Sequence, residues 1–381
     1  MANNNENKVL NVPHLRFPEF SGEWNKYTIN DLATVVGGGT PDTTVKSYWG
    51  GDIQWFTPSE IGKNKYVDFS KRTITRDGLD NSSAKLLPLH TILLSSRATV
   101  GECSIASNEC TTNQGFQSLI AKQCNIDFLY YLIQTKKKDL IRNACGSTFL
   151  EISANEIRKI KVAVPVQNEQ EQIAKLLSLI DERIATQNKI IEDLKKLKSA
   201  ITDLLFHSIA DAHTIRLGKI AHITNGAGDV QDANTEHQED WYPFFDRSEE
   251  LKWFPTYSFD KEAVIYAGEG QSFYPQYYNG KFALHQRCYA ITDFASCIIP
   301  KYCYHFMNTL NSYFVRNSVG STVPSLRMDI FQKVEIRLPP IPKQQHICKI
   351  IDAFYTKLEV EQRGISILQE LKQFLLSQMF I

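Results

Sequence analysis

Residues 146–206 read GSTFLEISANEIRKIKVAVPVQNEQEQIAKLLSLIDERIATQNKIIEDLKKLKSAITDLLF, and residues 320–380 read GSTVPSLRMDIFQKVEIRLPPIPKQQHICKIIDAFYTKLEVEQRGISILQELKQFLLSQMF. The two align without a gap at an offset of 174. Gly146-Ser147-Thr148 falls on Gly320-Ser321-Thr322, Lys159 on Lys333, Pro165 on Pro339, Gln170 on Gln344, Ile173 on Ile347 and Phe206 on Phe380. Self-similarity of this length means that the chain carries two copies of one unit. The starts of the halves echo more weakly, with Ile29, Leu32, Val35 and Gly38 matching Leu217, Ile220, Ile223 and Gly226 at an offset of 188. The halves therefore share their ends and differ in length between them, as two equivalent modules with different ligands should.

Each copy has the same local logic. Ser153 and Glu156 form a Ser-x-x-Glu box suited to capping a short helix, and Ile160 to Val164 alternates as a strand until Pro165 stops it. A long helix is predicted from about Glu169 to Phe206. Its seam, spaced alternately by four and three residues, is Ile173, Leu177, Ile180, Ile184, Gln187, Ile191, Leu194, Lys198, Ile201 and Leu205. The second copy gives Ile347, Ile351, Phe354, Leu358, Glu361, Ile365, Leu368, Lys372, Leu375 and Met379. The polar exceptions coincide, 187 with 361 and 198 with 372. A 3.5-residue seam sustained this far is a coiled-coil signal, since such a helix is not stable alone in water. Two antiparallel helices packed on each other are expected, with two amphipathic helices on separate cores as the alternative. At about 1.5 Å per residue, some 38 residues span roughly 57 Å, so each helix is also a spacer. Gly364 costs the second helix about 1 kcal/mol against Ala and marks the point where it is expected to bend or loosen locally.

The 381 residues exceed what one core usually organises, and 43% hydrophobic with 11% aromatic residues suffices for two. Forty-two basic against 42 acidic residues exclude a chain that coats polyanions by bulk charge, so a nucleic-acid surface must be a local patch. No run approaches a membrane span, and the polar start, Met1 to Lys8, lacks an apolar signal centre; a soluble, cytoplasmic protein is expected. Eight cysteines at irregular spacing, with no Cys-x-x-Cys pair, argue for reduced and mostly buried thiols.

The boundaries follow as 1–165 for the first module, 166–206 for the first helix, 207–341 for the second module and 342–381 for the second helix. Both modules read as mixed α/β. In the first, Leu87–Ser95 and Ser118–Ala121 are predicted strands and Phe128–Cys145 a helix. In the second, Ala263–Tyr266, Phe282–Leu284 and Cys288–Thr292 are predicted strands and Pro300–Val319 mostly helix. Lys plus Arg exceed Asp plus Glu by 19 to 16 up to Pro165, and fall short by 12 to 15 from His207 to Ile341. The basic residues of the first module bunch at Lys63, Lys65, Lys71, Arg72 and Arg76, while Lys136–Lys138 reads as a solvated helix face.

Taken in order, several short motifs are decisive: Gly38-Gly39-Thr40-Pro41, Tyr48-Trp49, Gly51-Asp52-Ile53 with Trp55, Arg97-Ala98-Thr99-Val100-Gly101 and Asn113-Gln114-Gly115-Phe116. With the Gly-Ser-Thr turn and the strand, proline and Gln-x-x-Ile start of the long helix, both present twice, the chain resembles the specificity subunit of type I restriction-modification enzymes over nearly its full length. The second module departs from the pattern, with Asn225-Gly226-Ala227 for Gly37-Gly38-Gly39 and His285-Gln286 for Asn113-Gln114. The resemblance implies two pseudo-symmetric target-recognition domains, each reading half of a split double-stranded DNA target, held apart by two long antiparallel helices. It implies that the helices dock two copies of the modification subunit, which binds S-adenosylmethionine and methylates adenine, and that motor-nuclease restriction subunits join them. It implies no catalytic residues and no cofactor in this chain.

The residues agree. There is no phosphate-cradling Gly-x-x-x-x-Gly-Lys-[Ser/Thr] loop, and Leu338-Pro339-Pro340 lacks the flanking residues of a base methylase. Cys303-x-His305 has no second pair to complete a metal site and reads as core; Asp42, Glu60 and Lys63 read as loop surface rather than a nuclease site. Base reading needs Arg, Asn or Gln at base edges, with Lys, Ser, Thr and backbone amides on phosphates. The candidates are Gly38, Gly39, Thr40, Thr43, Lys46, Lys63, Lys65, Arg72, Arg97, Thr99, Gln114, Ser147 and Thr148 in the first half, and Arg247, Lys252, Gln271, Tyr274, Gln276, Arg287, Ser321 and Thr322 in the second. The competing class is a non-DNA adaptor that presents two α/β modules to proteins or glycans, which the acidic second module favours.

Overall fold

The computed structural model describes residues 11–381 apart from 147–149, 208, 210, 249 and 321. The chain divides into two compact units, the first comprising residues up to Asn188 together with Arg363–Ile381, the second Lys189–Gln362. Unit 1 starts with strand β1 (Asn25–Thr28), helix α1 (Ile29–Leu32) and β2 (Ala33–Gly37). Next come β3 (Trp49–Phe56), β4 (Tyr66–Val67), β5 (Arg72–Ile74), α2 (Arg76–Asp80), β6 (Ile92–Leu94), β7 (Cys103–Ala106), β8 (Cys110–Thr112) and β9 (Gln117–Ala121). Helices α3 (Ile126–Thr135), α4 (Lys137–Arg142) and α5 (Ala154–Lys159) and strand β10 (Lys161–Val164) lead into the long helix α6 (Gln167–His207). Unit 2 contains β11 (His213–Arg216), β12 (His222–Asn225), β13 (Tyr242–Phe245), β14 (Lys252–Phe254), β15 (Phe259–Ala267), β16 (Gln276–Leu284) and β17 (Cys288–Thr292). Helices α7 (Pro300–Asn308), α8 (Asn311–Asn317) and α9 (Met328–Gln332) and strand β18 (Glu335–Leu338) lead into the second long helix, α10 (Ile341–Met379).

Unit 1 has a five-stranded sheet in the order β2-β9-β6-β7-β4, a three-stranded sheet β5-β3-β8 and a two-stranded ladder β1-β10; unit 2 has a six-stranded sheet β12-β17-β15-β16-β13-β14 and the ladder β11-β18. Both sequence offsets are visible in the ladders. Asn25 faces Val164 and Thr28 faces Lys161, while His213 faces Leu338 and Arg216 faces Glu335, so one strand is displaced by 188 and its partner by 174. The 174 register also runs further back than residue 146. Helices α7, α8 and α9 begin 174 residues after α3, α4 and α5, and the antiparallel bridge Cys145–Glu151 recurs as Val319–Ser325. Between each pair of bridge residues stands a glycine with positive φ, Gly146 at 126° and Gly320 at 104°.

The repeated glutamines fasten the start of each long helix. Gln170 Nε2 donates to the Pro165 carbonyl at 2.9 Å while its Oε1 accepts from the Asn125 amide at 3.0 Å. Gln344 repeats the pattern with the Pro339 carbonyl at 2.9 Å and the Ile299 amide at 2.9 Å. Both side chains are buried, so each amide satisfies backbone groups that water cannot reach.

Helix α6 is continuous because 167–207 contains neither Gly nor Pro, and α10 tolerates Pro342 in its first turn, where no backbone partner is lost. Helix α10 runs unbroken through Gly364, where a Cβ would meet open space. Every seam position is buried or half-buried. In unit 1, Ile173, Leu177 and Ile180 share a core with Phe128, Leu132, Leu375, Met379 and Phe380. In unit 2, Ile347 and Ile351 share one with Phe206, Tyr302, Phe306 and Met307. Each such aliphatic side chain contributes about 1.5–3 kcal/mol by leaving water. Among the described residues no helix is long and apolar enough to cross a membrane.

Two predicted elements differ. The strand expected over Leu87–Ser95 is cut to Ile92–Leu94, because Pro88 accepts from the Thr91 amide and His90 adopts a φ of 63°; Leu87 and Ser95 keep only single bridges. The helix expected over Phe128–Cys145 starts earlier, capped by Asn125, and breaks at Lys136. Pro300–Val319 is mostly helix as expected, in two pieces that meet at Thr309–Leu310.

Candidate nucleic-acid interface

Antiparallel pairing decides which motif segments meet. Gly37 at the end of β2 faces Gln117 at the start of β9, and Leu94 at the end of β6 faces Cys103 at the start of β7. With the Ser95–Phe116 bridge, these strand ends lie together at one end of the five-stranded sheet. The Gly38–Thr40, Arg97–Thr99 and Asn113–Gly115 segments are therefore neighbours.

The contacts are close. A Cβ on Gly38 would stand 2.0 Å from the Asn113 carbonyl oxygen, and one on Gly39 would stand 2.3 Å from the Ala84 nitrogen. Only glycine lets these strands of backbone pass, so both glycines serve the packing of the loop. The Gly39 amide donates to the Thr112 carbonyl at 2.8 Å, and the Thr40 hydroxyl donates to Gln114 Oε1. The Ser96 amide donates to the Gly115 carbonyl at 2.8 Å and the Ala98 amide to the Leu150 carbonyl at 3.2 Å. Arg97, exposed, lies 3.7 Å from Glu151. Ser147 and Thr148, expected to join this group, lie outside the described residues, as does Ser321; their neighbour Gly146 precedes the Leu150–Ile152 segment that borders Arg97.

Unit 2 assembles the same end. Asn225 faces Tyr289 and Ala267 faces Cys288, which brings Gly226–Gly228, Gly268–Gly270 and His285–Arg287 together. Glu269 bridges Ser325 as Arg97 bridges Glu151, so opposite charges occupy matched positions. Arg287 Nη1 lies 2.8 Å from Glu269, and Arg247 approaches the same carboxylate at 3.9 Å. Lys252 is bound to Asp246 at 2.6 Å. Burial works to raise the Asp246 carboxyl, but its bonds from Lys252 and Ser248 outweigh that and hold it below the usual range. A cavity of about 240 Å³ lies among Asp246, Arg247, Glu269, His285 and Arg287. Gln271 and Tyr274 are exposed on the loop between β15 and β16, Gln276 is exposed at the start of β16, and Thr322 is exposed.

The basic bunch of unit 1 does not stay together. Lys65 is removed from the phosphate-contact candidates: its ammonium is 2.7 Å from Asp127 and donates to Ser178 Oγ at 2.6 Å, with the side chain 8% exposed. It is a structural cation that ties the β4 region to α3 and α6. Lys63 and Lys65 both line a cavity of about 900 Å³. Arg72 instead lies over Trp49, beside the loop that carries Thr43 and Lys46, both exposed. Sequence reasoning missed Glu269, the acceptor on which two candidate arginines converge; its match to Arg97 appears only at an offset of 172, which is neither of the two offsets found from identities.

The residues considered for other chemistry have occupations of their own. The Asp42 carboxylate accepts from the Thr44 hydroxyl and amide and is held below its usual range by them, and Glu60 caps the turn at Thr57 and accepts from the Lys71 amide. Cys303 is buried, and His305 Nε2 lies 2.9 Å from Asp352 Oδ1. Six of the eight cysteines are buried, Cys145 and Cys297 being exposed; burial pushes the Cys103 thiol up to about 12.

A family model described as the type I restriction modification DNA specificity domain matches residues 21–196 and again 210–373. The type I restriction enzyme MjaIX specificity subunit of Methanocaldococcus jannaschii is 28% identical, over 94% of this chain and 92% of that protein. The EcoprrI specificity subunit of Escherichia coli is 23% identical over 88% of each. The crystal structure of a type I restriction-modification system S subunit from M. genitalium superposes with a TM-score of 0.63 at 18% identity, over 97% of this chain and 99% of that one, a likeness of fold.

Proposed function

The chain belongs to the type I restriction-modification DNA specificity family, and from that premise we propose that each unit's cluster of strand-end loops reads one half of a bipartite, asymmetric duplex. The chain acts as the sequence-specific DNA-recognition subunit of a type I restriction-modification complex, with target-recognition domains at 1–165 and 207–341 and spacer helices at 166–206 and 342–381. One observation carries this reading: the same strand-end assembly is built twice from matched backbone, with unlike side chains at the matched positions. A single scaffold with interchangeable tips is what reading two different half-sites requires.

The remaining parts follow from the family. The two helices dock two modification subunits, which supply S-adenosylmethionine and the methyl transfer; restriction subunits join for cleavage, and the complex works in the cytoplasm. This chain contributes selection and no catalytic group. Phosphate contacts come from exposed cations and amides at the loop tips, with Arg and Gln at base edges.

Methylation sequencing of host DNA, with and without the gene, tests the proposal. The expected motif has two unlike halves around an unread gap of fixed length, and a single continuous palindrome refutes it. Binding of the assembled complex to that motif should also weaken steeply with salt, as phosphate contacts dictate and an adaptor of proteins or glycans would not.

A further inference from the structure

Arg72 lies against two tryptophan rings. Its guanidinium lies 3.7 Å from the centre of the Trp49 ring and 5.3 Å from that of Trp55, and the two indoles meet edge to face at 5.0 Å. Trp49 Nε1 donates to the Asp42 carbonyl at 3.1 Å, and Trp55 Nε1 donates to the Gly39 carbonyl at 2.9 Å. Both rings are thereby pinned to the loop that leaves the recognition end of β2. Strand pairing places Arg72 opposite Trp55. Arg16, Arg76, Arg97 and Arg142 each have a carboxylate partner, whereas no described ion pair or hydrogen bond takes the side chain of Arg72, which is exposed.

Stacking on an indole fixes the plane of a guanidinium while leaving its in-plane N–H fork unspent. A fork so held is suited to two acceptors at fixed separation, and guanine offers O6 and N7 in the major groove. A phosphate, approachable from many directions, needs no such fixing. Resting on the specificity reading above, we propose that Arg72 reads a guanine in the half-site bound by unit 1, with Trp49 and Trp55 as positioning residues.

The test uses the complex assembled with its modification subunit, on duplexes in which each base of the wild-type motif is varied in turn, with methylation rate as the readout. Arg72→Ala should cut discrimination for guanine at one position of one half by roughly ten- to hundredfold, leaving the other half unchanged. Arg72→Lys should fail at the same position, since an ammonium keeps the charge without the fork; it decides the matter alone if the alanine variant does not assemble. An unchanged base preference in these variants overturns the assignment, and so does a uniform loss across all sequences, which would mark a phosphate contact. A wild-type complex that methylates no bipartite motif would instead sink the specificity reading itself, a different result from an unaltered motif in the variants.

Discussion

The junction between the globular part and the long helices is solved differently in the two units, although the backbone is matched residue for residue. In unit 1 the Tyr131 hydroxyl donates to Asp181 at 2.7 Å, and Lys372 reaches the same carboxylate at 2.7 Å. At the positions 174 away, unit 2 has His305 bonded to Asp352, and Lys198 stands 4.1 Å from the centre of the Tyr355 ring. The apolar pairs keep their buried places: Phe128 with Tyr302, Leu132 with Phe306, and the terminal plugs Phe380 and Phe206, which pack on those same aromatics. Register is thus carried by matched apolar burial and the two buried glutamines, while the polar cross-links have been exchanged.

The sharpest break in the symmetry is at the start of the helices. Glu169 is fully buried and takes a two-pronged ion pair from Arg16, at 2.7 Å on each oxygen, with Trp24 Nε1 donating at 3.2 Å. The matched residue in unit 2 is Lys343, which is exposed. Replacing Arg16 by Ala strands a buried carboxylate and should destabilise unit 1 by about 3–5 kcal/mol. Lys343→Ala should change unit 2 by less than about 0.5 kcal/mol. Urea unfolding with hydrogen exchange resolved by unit checks both, and equal losses would mean that the Arg16–Glu169 pair is not what sets unit 1 apart.

A smaller difference should appear between the two seam lysines. Lys372 and Asp181 are each less than one-fifth exposed, so Lys372→Met should cost unit 1 about 2 kcal/mol, in the range of a charged hydrogen bond. Lys198→Met removes only a cation over an aromatic face and should cost unit 2 about 0.5–1 kcal/mol. Similar losses would mean that the lysines serve the helix pair generally rather than their separate partners.

How much of this was legible is decided by what identity can report. The long helices and the duplicated Gln-x-x-Ile could be read because the same residues recur, and β10 because its alternation runs up to the repeated proline; the ladder partners β1 and β11 were not read as strands. The match of α3 with α7 could be read only as an order of elements before the Gly-Ser-Thr turn; its residue-by-residue register could not, since Leu132 and Phe306 share only a buried role. Lys65 was misplaced among surface cations because its partners, Asp127 and Ser178, lie 62 and 113 residues away in sequence. The Arg72 stack likewise needs the β3–β5 register, which no local pattern supplies. The neighbourhood of Gly38, Arg97 and Gln114 followed from motif order only in outline; strand pairing was needed to show that their loops touch.

The finest test of the comparison is acid. His305 is held below its ordinary value by burial, against the opposing pull of Asp352; Lys301 and Lys198 add to the lowering. Its counterpart Tyr131 is raised, mainly by burial and then by Asp181, so it stays neutral throughout the acid range. In the unfolded chain the imidazole binds a proton near pH 6.5, and in the folded chain only at lower pH. Stability contributed by the neutral form is therefore complete above 6.5 and is lost as pH falls below it, by at most about 1.4 kcal/mol per pH unit for one proton. Hydrogen exchange in unit 2 should accelerate between pH 6.5 and 5.5 once the intrinsic pH dependence is removed, and His305→Gln should abolish that component without changing unit 1. If the variant and the wild type decline in parallel, the acid response belongs to other groups, and the exchange of tyrosine for histidine at this junction has no titration consequence.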